Sequence, residues 1–406
     1  MKSILIVEPG EQFCKERFLR ELTNNPYEFL LLLNSSPRVA TNGWYYQYVP
    51  PERVLSVEFR DPEEAARDVR SQLRSRGITI SGVTTYYEEA VLVAQAIAVE
   101  LSLIPITTGD PLALRNKGRM RRQFVSAGLP QPKSISCKTV EEAQRAVRDV
   151  GPPCVIKPIQ MASSIGVRKV CSSSPDEVRR AFVAANTADI PEEDTRYAYN
   201  IESDVLVEEY IPTYQEISCE GFVEGERVHL VAVTKKSLCK EPFFKELGHV
   251  SPFDVGNGIR MALESQMDTA AHALKLYSTA FHAEFRLRKD APPVLVELGA
   301  RLAGGFIPQL VKLSQGVDML AGSVQLSCGE PFVPRPAEGG VAAIQFLTSD
   351  ESVRRFRTAA ARIRMLPFVD ELALYGDSGT GRLGHIIWTG RDFDDLELSR
   401  VKIDGA

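Results

Sequence analysis

FHAEFRLRKDAPPVLVELGARLAGGFIPQ, from Phe281 to Gln309, is the stretch whose reading decides the fold. Phe281, Ala283, Phe285 and Leu287 share one face of its first arm, and His282, Glu284 and Arg286 share the other. That period-two pattern predicts a strand. The second arm sets Val294, Val296 and Leu298 on one face and Glu297 on the other. A loop from Arg288 to Pro293 joins the arms, and its centre lies midway between Glu284 and Glu297. The two carboxylates are then cross-strand partners, about 5 Å apart at Cβ. Like charges so placed destabilise a hairpin unless something positive lies between them. A divalent cation with oxygen ligands meets that need, and Mg²⁺ held by carboxylates together with substrate phosphates fits best. A solvated hairpin whose glutamates face water is the plain alternative, so the rest of the chain has to weigh the two.

At 406 residues the chain is long for one core, and two or three domains are expected. Hydrophobic content of 44% and charged content of 25% suit a globular protein. With 48 basic against 53 acidic residues the net charge is −5, which removes the electrostatic case for nucleic acid or an anionic membrane. The opening MKSILIVEPG is too short in apolar residues for a signal peptide, and no run is long enough to span a bilayer. Seven cysteines without a CxxC pair argue for neither zinc nor a disulfide framework. A soluble cytoplasmic protein is the expectation.

Outward from the hairpin, residues 1–115 alternate strand and helix. Ser3–Val7 and Phe29–Leu33 are continuous apolar runs suited to a parallel sheet, and Arg53–Phe59 is a third candidate strand. Asp61-Pro62 opens a helix that Gly77 closes, Ile78–Val83 reads as a strand, and Tyr86–Leu101 as a long helix. Together they predict a doubly wound α/β domain. Leu112–Ala127 reads as one basic helix ending at Gly128. A smaller α/β unit follows, with helices over Thr139–Val150 and Pro175–Asn186 and strands over Cys154–Pro158, Gly166–Cys171 and Val205–Ile211. Two strands meet at Glu224-Gly225-Glu226, and a loop is expected from Ser237 to Gly258. Met261–Phe281 reads as a helix, and Gly339–Ala406 as short strands and turns that form a β-rich cap.

Lys157 closes an apolar strand in CVIKPIQMASSIGV, where a buried ammonium needs an anionic partner. The small residues Ala162, Ser163, Ser164 and Gly166 follow, and they let backbone N–H groups approach a phosphate. A structural turn explains the serines and glycine equally well, but not Lys157. No GxxxxGK[ST] occurs, so this is not a Walker A loop. Glu208 and Glu209, with Glu216 beyond them, lie at a crossing where carboxylates can meet a ribose hydroxyl or an adenine amino group. Surface glutamates are the bland reading there. Glu246 and His249 lie among the aromatics Phe243, Phe244 and Phe253, the composition a pocket for a small zwitterion requires and one that an ordered surface loop shares. GTGRLG at 379–384 matches the dinucleotide fingerprint as a string, but HIIWTG follows it where a helix is needed, and a hairpin turn is expected.

These elements in this order resemble the ATP-grasp superfamily over nearly the whole chain. The resemblance implies an α/β fold, α+β in its C-terminal part. Its divisions would be a front domain over 1–115, a small nucleotide clamp over 116–210, and a large domain over 211–406 with the cap from about 338. Lys117 in RNKGRMRR and Lys157 in VIKP match the two phosphate-binding lysines. QMASSIGV matches the mobile loop, with Gln160, Met161 and Ala162 where glycines are usual. Ser163 and Ser164 fall in that loop. Glu208, Glu209 and Ile211 match the adenine hinge, Glu216 the ribose contact, and Glu284 and Glu297 the Mg²⁺ ligands. Mn²⁺ would serve the same ligands. The usual E-x-N-x-R is here Glu297-Leu298-Gly299-Ala300-Arg301, so Gly299 stands in place of a metal-binding Asn while Arg301 keeps its register.

Within the superfamily the sequence is most similar to L-amino acid ligases, the dipeptide synthetases, on KELGHVSP and ARLAGGFIP. That likeness implies ATP-dependent joining of an amino acid or similar carboxylate to an amine through an acyl phosphate. Arg301 and Lys157 would stabilise the transferring phosphoryl group, and backbone N–H groups near Gly304 and Gly305 the oxyanion. Glu246, His249, Arg301 and Gly304 would bind the amino acid. The implied partners are ATP and small molecules, with a homodimer admissible. A ligase loading an amino acid onto a carrier protein or antibiotic intermediate uses the same site. A biotin-dependent carboxylase would be expected to carry a richer glycine loop, and a non-catalytic ATP-binding module has no reason to keep every one of these residues.

Overall fold

The computed structural model describes residues 2–10, 12–35, 43–161, 164–186, 204–239, 245–332, 334, 339–375 and 381–405, and for 12–14 and 405 the backbone alone. Ala162, Ser163, Phe243, Phe244 and the start of GTGRLG therefore lie outside the described residues.

Front strands β1 (Ser3–Val7), β2 (Glu28–Asn34), β3 (Val54–Val57) and β4 (Gly82–Thr84) form a parallel sheet in the order β3-β2-β1-β4. Helices α1 (Gln12–Thr23), α2 (Pro62–Ser75) and α3 (Val91–Glu100) accompany them. The residues of β1 and β2 are almost all buried, which is why they read as unbroken apolar runs. Asp61 caps α2 by accepting from the N–H groups of Glu63 and Glu64, and Pro62 opens the helix as expected. Ile78–Ile80 lies outside β4, so that strand is shorter than predicted.

The predicted basic helix is broken. A 3₁₀ turn covers Pro111–Leu114, and α4 (Lys117–Ser126) starts only after Asn116, whose side chain accepts from the Arg119 N–H. Asn116 competes for the backbone and so makes a better cap than helix interior. Beyond it, β5 (Ser134–Cys137), α5 (Val140–Val150), β6 (Cys154–Pro158), β7 (Arg168–Val170), α6 (Pro175–Asn186) and β8 (Val205–Glu209) build a second sheet, ordered β5-β8-β6-β7. It has a core of its own, in which Ile156, Val170, Phe182 and Val207 pack together.

Eight strands make the third sheet. They are β9 (Gln215–Glu224), β10 (Arg227–Leu238), β11 (Glu246–Ser251), β12 (Ser278–Arg288), β13 (Ala291–Gly299), β14 (Val341–Leu347), β15 (Val369–Leu374) and β16 (Gly384–Gly390). Their order is β13-β12-β9-β10-β11-β14-β16-β15. Helices α7 (Asn257–Ala273), α8 (Ile307–Gln315), α9 (Met319–Ser327), α10 (Asp350–Arg364) and α11 (Phe393–Gly405) complete this part. Two expectations change here. ELGHVS is strand β11, within the expected loop: Gly248 and His249 pair with Gln345 and Ile344, and Lys236 of β10 pairs with His249. The C-terminal segment is not a β-rich cap but three strands that extend the same sheet, covered by two helices. Met261–Phe281 is also divided, since α7 stops at Ala273 and β12 begins at Ser278. The string GTGRLG leads directly into strand β16 rather than into a helix, so the fingerprint is a coincidence.

Leu5 and Val7 of the front sheet and Phe281 and Phe285 of the large sheet belong to one continuous buried cluster, with Met120 and Phe124 of α4. The front and large sheets are thus fused by apolar packing, whereas the β5–β8 sheet carries a separate core. Among the described residues, no helix is long and apolar enough to cross a membrane.

Candidate active site

One cavity lies where these parts meet. Glu284 of β12 and Glu297 of β13 stand directly opposite each other in the antiparallel ladder, as the hairpin pattern predicts, and both line the cavity. Each has a cation. Lys236 Nζ lies 2.5 Å from Glu284 Oε1, and Lys117 Nζ lies 2.8 Å from Glu297 Oε1. The positive charge that the paired glutamates require is therefore partly supplied by lysines. His282 joins the group at 3.4 Å from Glu284 and 3.1 Å from buried Glu220. Burial opposes the charge on Glu284, but Lys236 and His282 outweigh it and hold its carboxyl well below the usual range.

The ladder explains why these groups converge. Glu297, Glu284 and Ser218 are successive cross-strand neighbours on β13, β12 and β9, and Arg286 pairs with Glu216 one step along. Arg286 also holds the Glu216 carboxylate at 3.1 Å and the Ile211 carbonyl at 3.0 Å. Burial, with Glu284 close by, pushes Glu216 above the usual carboxylate range against the pull of Lys236 and Arg286.

Opposite this row, α4 and β6 present Lys117 and Lys157. Lys157 is buried and lies 2.5 Å from Glu208, which also accepts from Arg121 at 2.7 Å. Burial lowers the affinity of Lys157 for its proton, and the neighbouring Arg121 and Lys117 add to the effect. Lys117, Lys157 and Arg121 thus share two carboxylates, Glu208 and Glu297, and the crowding of cations favours a further anion. The loop after β6 starts against α4: the Lys117 N–H donates to the Ile159 carbonyl, and Lys117 Nζ to that of Met161. Ser164, at φ 57°, and Met161 line the cavity.

At the hinge after β8, Ile211 faces the cavity, but Glu209 is exposed and does not line it. Alternation along β8 turns Glu208 inward and Glu209 outward. The Glu209 side chain is therefore turned away from the cavity. Glu208 is committed to Arg121 and Lys157, so an adenine at the hinge would meet backbone and Ile211 rather than a free carboxylate.

The far end of the cavity is formed by β11 and the loop before α8. Glu246, His249, Arg301, Gly304 and Gly305 all line it. Glu246 reaches it already paired, at 2.8 Å from Lys236 and 2.9 Å from Arg382. His249 is 1% exposed, and neither ring nitrogen has a hydrogen-bond partner; Nε2 lies 3.6 Å from Glu246. A buried imidazole without a partner is costly unless a ligand completes it. Gly305 sits against this ring: at φ 60°, a Cβ there would come within 2.7 Å of His249 Nε2. Arg301 lies 2.5 Å from Glu88, which pairs with Arg115 at 3.2 Å. A Cβ at Gly299 would touch Glu88 Oε2 at 3.4 Å, so a longer side chain at that position would press on the Glu88–Arg301 pair.

The residue-level reading missed Lys236, Glu88, Arg382, Arg121 and His282. His282 left a sequence signal, since it shares a face with Glu284 in the alternating first arm of the hairpin, and so did Arg121, one helical turn after Lys117.

The donor set suits a hard divalent cation, because two carboxylates face each other across one cavity with lysines placed for phosphate. Among the described residues, no group of three or more His, Cys, Asp or Glu side chains is arranged to hold a metal ion by itself.

Residues 150–309 match the family model described as ATP-grasp domain. That segment of the chain is similar to an ATP-grasp domain. Alanine–anticapsin ligase of Bacillus subtilis is 30% identical over 214 residues, which cover 50% of this chain and 45% of that protein. Human carnosine synthase 1 is 26% identical over 370 residues, covering 86% of this chain and 42% of that one. The chain thus spans less than half the length of these two relatives. In fold, the chain is similar to an L-amino acid ligase from Bacillus licheniformis, with a TM-score of 0.79, 21% identity, and coverage of 100% and 97% of the two chains. A carboxyaminoimidazole ribonucleotide synthase complexed with ATP shares the fold at a TM-score of 0.74 and 14% identity.

Proposed function

We propose that the protein is an ATP-dependent carboxylate–amine ligase that joins an amino acid, or a similar carboxylate, to an amine, a second amino acid being the favoured acceptor. One observation carries the reading. The paired carboxylates Glu284 and Glu297, the lysines Lys117 and Lys157, Arg301, and the unpartnered His249 all border a single cavity.

A carboxylate is a poor electrophile, and phosphorylation corrects this. A substrate carboxylate oxygen attacks the γ-phosphorus of ATP, the bond to the bridging oxygen breaks, and ADP leaves with its electron pair. The amine nitrogen then attacks the acyl carbon of the acyl phosphate, inorganic phosphate departs, and the nitrogen sheds a proton. Lys117 and Lys157, both buried, neutralise the phosphate oxygens. Glu284 and Glu297 would hold Mg²⁺, which when bound neutralises charge on the phosphates and aligns them. Arg301, oriented by Glu88, faces the transferring group. Gly304 and Gly305 precede α8, whose N-terminus favours a developing oxyanion. His249 and Glu246 receive the polar end of the amino acid. Mn²⁺ would serve the same ligands, and Glu216 and Ile211 would border the nucleoside.

A phosphate-release screen across amino acids, offered singly and in pairs with ATP and Mg²⁺, tests this. Phosphate release that needs a particular pair, with an amide product in the mass spectrum, is the expected result. Release of AMP and pyrophosphate, or no dependence on any amino acid or amine, would contradict it.

A further inference from the structure

Lys236 is a buried cation paired with several carboxylates, and the chemistry outlined above leaves it without a task. It is 4% exposed at the end of β10, and it lies among three carboxylates that come from three other strands. Its ammonium is 2.5 Å from Glu284 on β12, 2.8 Å from Glu246 on β11 and 3.7 Å from Glu216 on β9. All three carboxylates line the same cavity; on the proposed function Glu284 would face the metal, Glu246 the amino acid and Glu216 the nucleoside. A lysine ammonium carries three donors and a single charge. It can saturate these three carboxylates geometrically but can neutralise only one of them. The other compensating charges sit at the rim of the group, Arg286 on Glu216, Arg382 on Glu246 and His282 on Glu284.

We propose that Lys236 is a positioning residue that acts as the resident counter-cation of Glu284 and competes there with the divalent metal. When a metal takes Glu284, the ammonium swings its interaction toward Glu246 and Glu216, which remain within its reach. Metal binding is thereby linked to the state of the two carboxylates at the substrate ends of the cavity. The proposal rests on the nucleotide-and-metal reading of the site and adds a sign to it. A lysine that merely held three strands together would support metal binding, because its loss would disorder Glu284. A lysine that competes for Glu284 would oppose metal binding, because like charges at this distance repel strongly in a buried site.

The test is calorimetric titration of Mg²⁺ into the full-length protein in excess ADP, for the wild type and for Lys236→Met, Lys236→Arg and Glu246→Gln, each checked for folding by thermal melting. The expected result is a fall of about tenfold in the half-saturating Mg²⁺ concentration for Lys236→Met. Lys236→Arg should return it to near the wild-type value, since the charge is restored. Glu246→Gln should raise it severalfold, because Lys236 then has one fewer carboxylate and turns more fully to Glu284. Should Lys236→Met fail to fold, the direction for Glu246→Gln decides. Weaker or unchanged metal binding in a folded Lys236→Met variant would overturn the proposal, as would tighter binding in Glu246→Gln. If the wild type binds ADP and Mg²⁺ while these signs are reversed, this inference alone fails; if it binds neither, the nucleotide reading fails with it.

Discussion

His249 and Gly305 form the most constrained contact in the cavity. The imidazole is buried, burial lowers its affinity for a proton despite Glu246 beside it, and it therefore favours the neutral form, with one ring nitrogen able to accept. Gly305 is required twice over, by its positive φ and by its closeness to that ring. Gly305→Ala is expected to cost about 1–2 kcal/mol of stability through the left-handed backbone and to raise the KM for the amino acid by displacing His249. Thermal melts and steady-state kinetics read the two effects separately. A Gly305→Ala variant with unchanged KM would show that the ring does not touch substrate. Glu297→Ala removes one of the two facing carboxylates and leaves Lys117 without its partner. Turnover should fall by at least 100-fold, measured as ADP release at saturating ATP, and retained activity would remove Glu297 from the metal site. Much of this was legible in the sequence. Glu284 and Glu297 follow from alternation about a loop, and the register bears the pairing out. Glu88 and Arg382 were not, because they arrive from segments 213 residues before Arg301 and 136 residues after Glu246. No local pattern encodes such meetings.

At the level of elements, the break before α4 positions Lys117. Asn116 caps the helix and fixes where it starts, so Lys117 falls on its first turn, against Ile159. Asn116→Ala should lower stability by about 1 kcal/mol in denaturant unfolding, with a larger loss in ATP affinity than a distant cap would give. The link from α4 through β8 to β6 is electrostatic. Burial would raise the pKa of Glu208, but Arg121 and Lys157 hold it at about 2, against an ordinary value of 4.5. Because the folded state lowers this pKa, its contribution is complete above about pH 4.5 and is lost as pH falls toward 2. The contribution is on the order of 3 kcal/mol. Urea unfolding of the wild type should therefore weaken steeply across that window, and Glu208→Gln should flatten the slope while lowering stability at neutral pH. An unaltered slope in the variant would contradict the assignment. Strand β11 shows what element-level reading missed. Its Gly248, His249 and following Pro252 read as loop, and its partner β14 lies about 90 residues downstream, so only the assembled sheet reveals it as a strand. The C-terminal strands were seen, but their membership of the large sheet depends on the same long-range pairing.

Across the whole molecule, the cavity lies where the front and large sheets meet a separately packed β5–β8 sheet. The front and large sheets share one apolar cluster, while the β5–β8 sheet packs around its own, joined to the rest by α4 and by ion pairs such as Lys117 with Glu297. Lys157 thus sits on the separately packed unit and Lys117 at its root, while the paired carboxylates sit on the large sheet. The α/β character, the order of the parts and the resemblance to ATP-grasp proteins could be read from strand and helix periodicity together with a few charged residues at strand ends. The fusion of front and large sheets could not, since it depends on which buried faces meet. The central claim is that a carboxylate oxygen becomes part of the released phosphate. A carboxylate substrate enriched in a heavy oxygen isotope, turned over with ATP, Mg²⁺ and its amine partner, tests this by mass analysis of the products. The account predicts one heavy oxygen transferred to inorganic phosphate alongside unlabelled ADP; heavy oxygen in AMP, or none in phosphate, would contradict it.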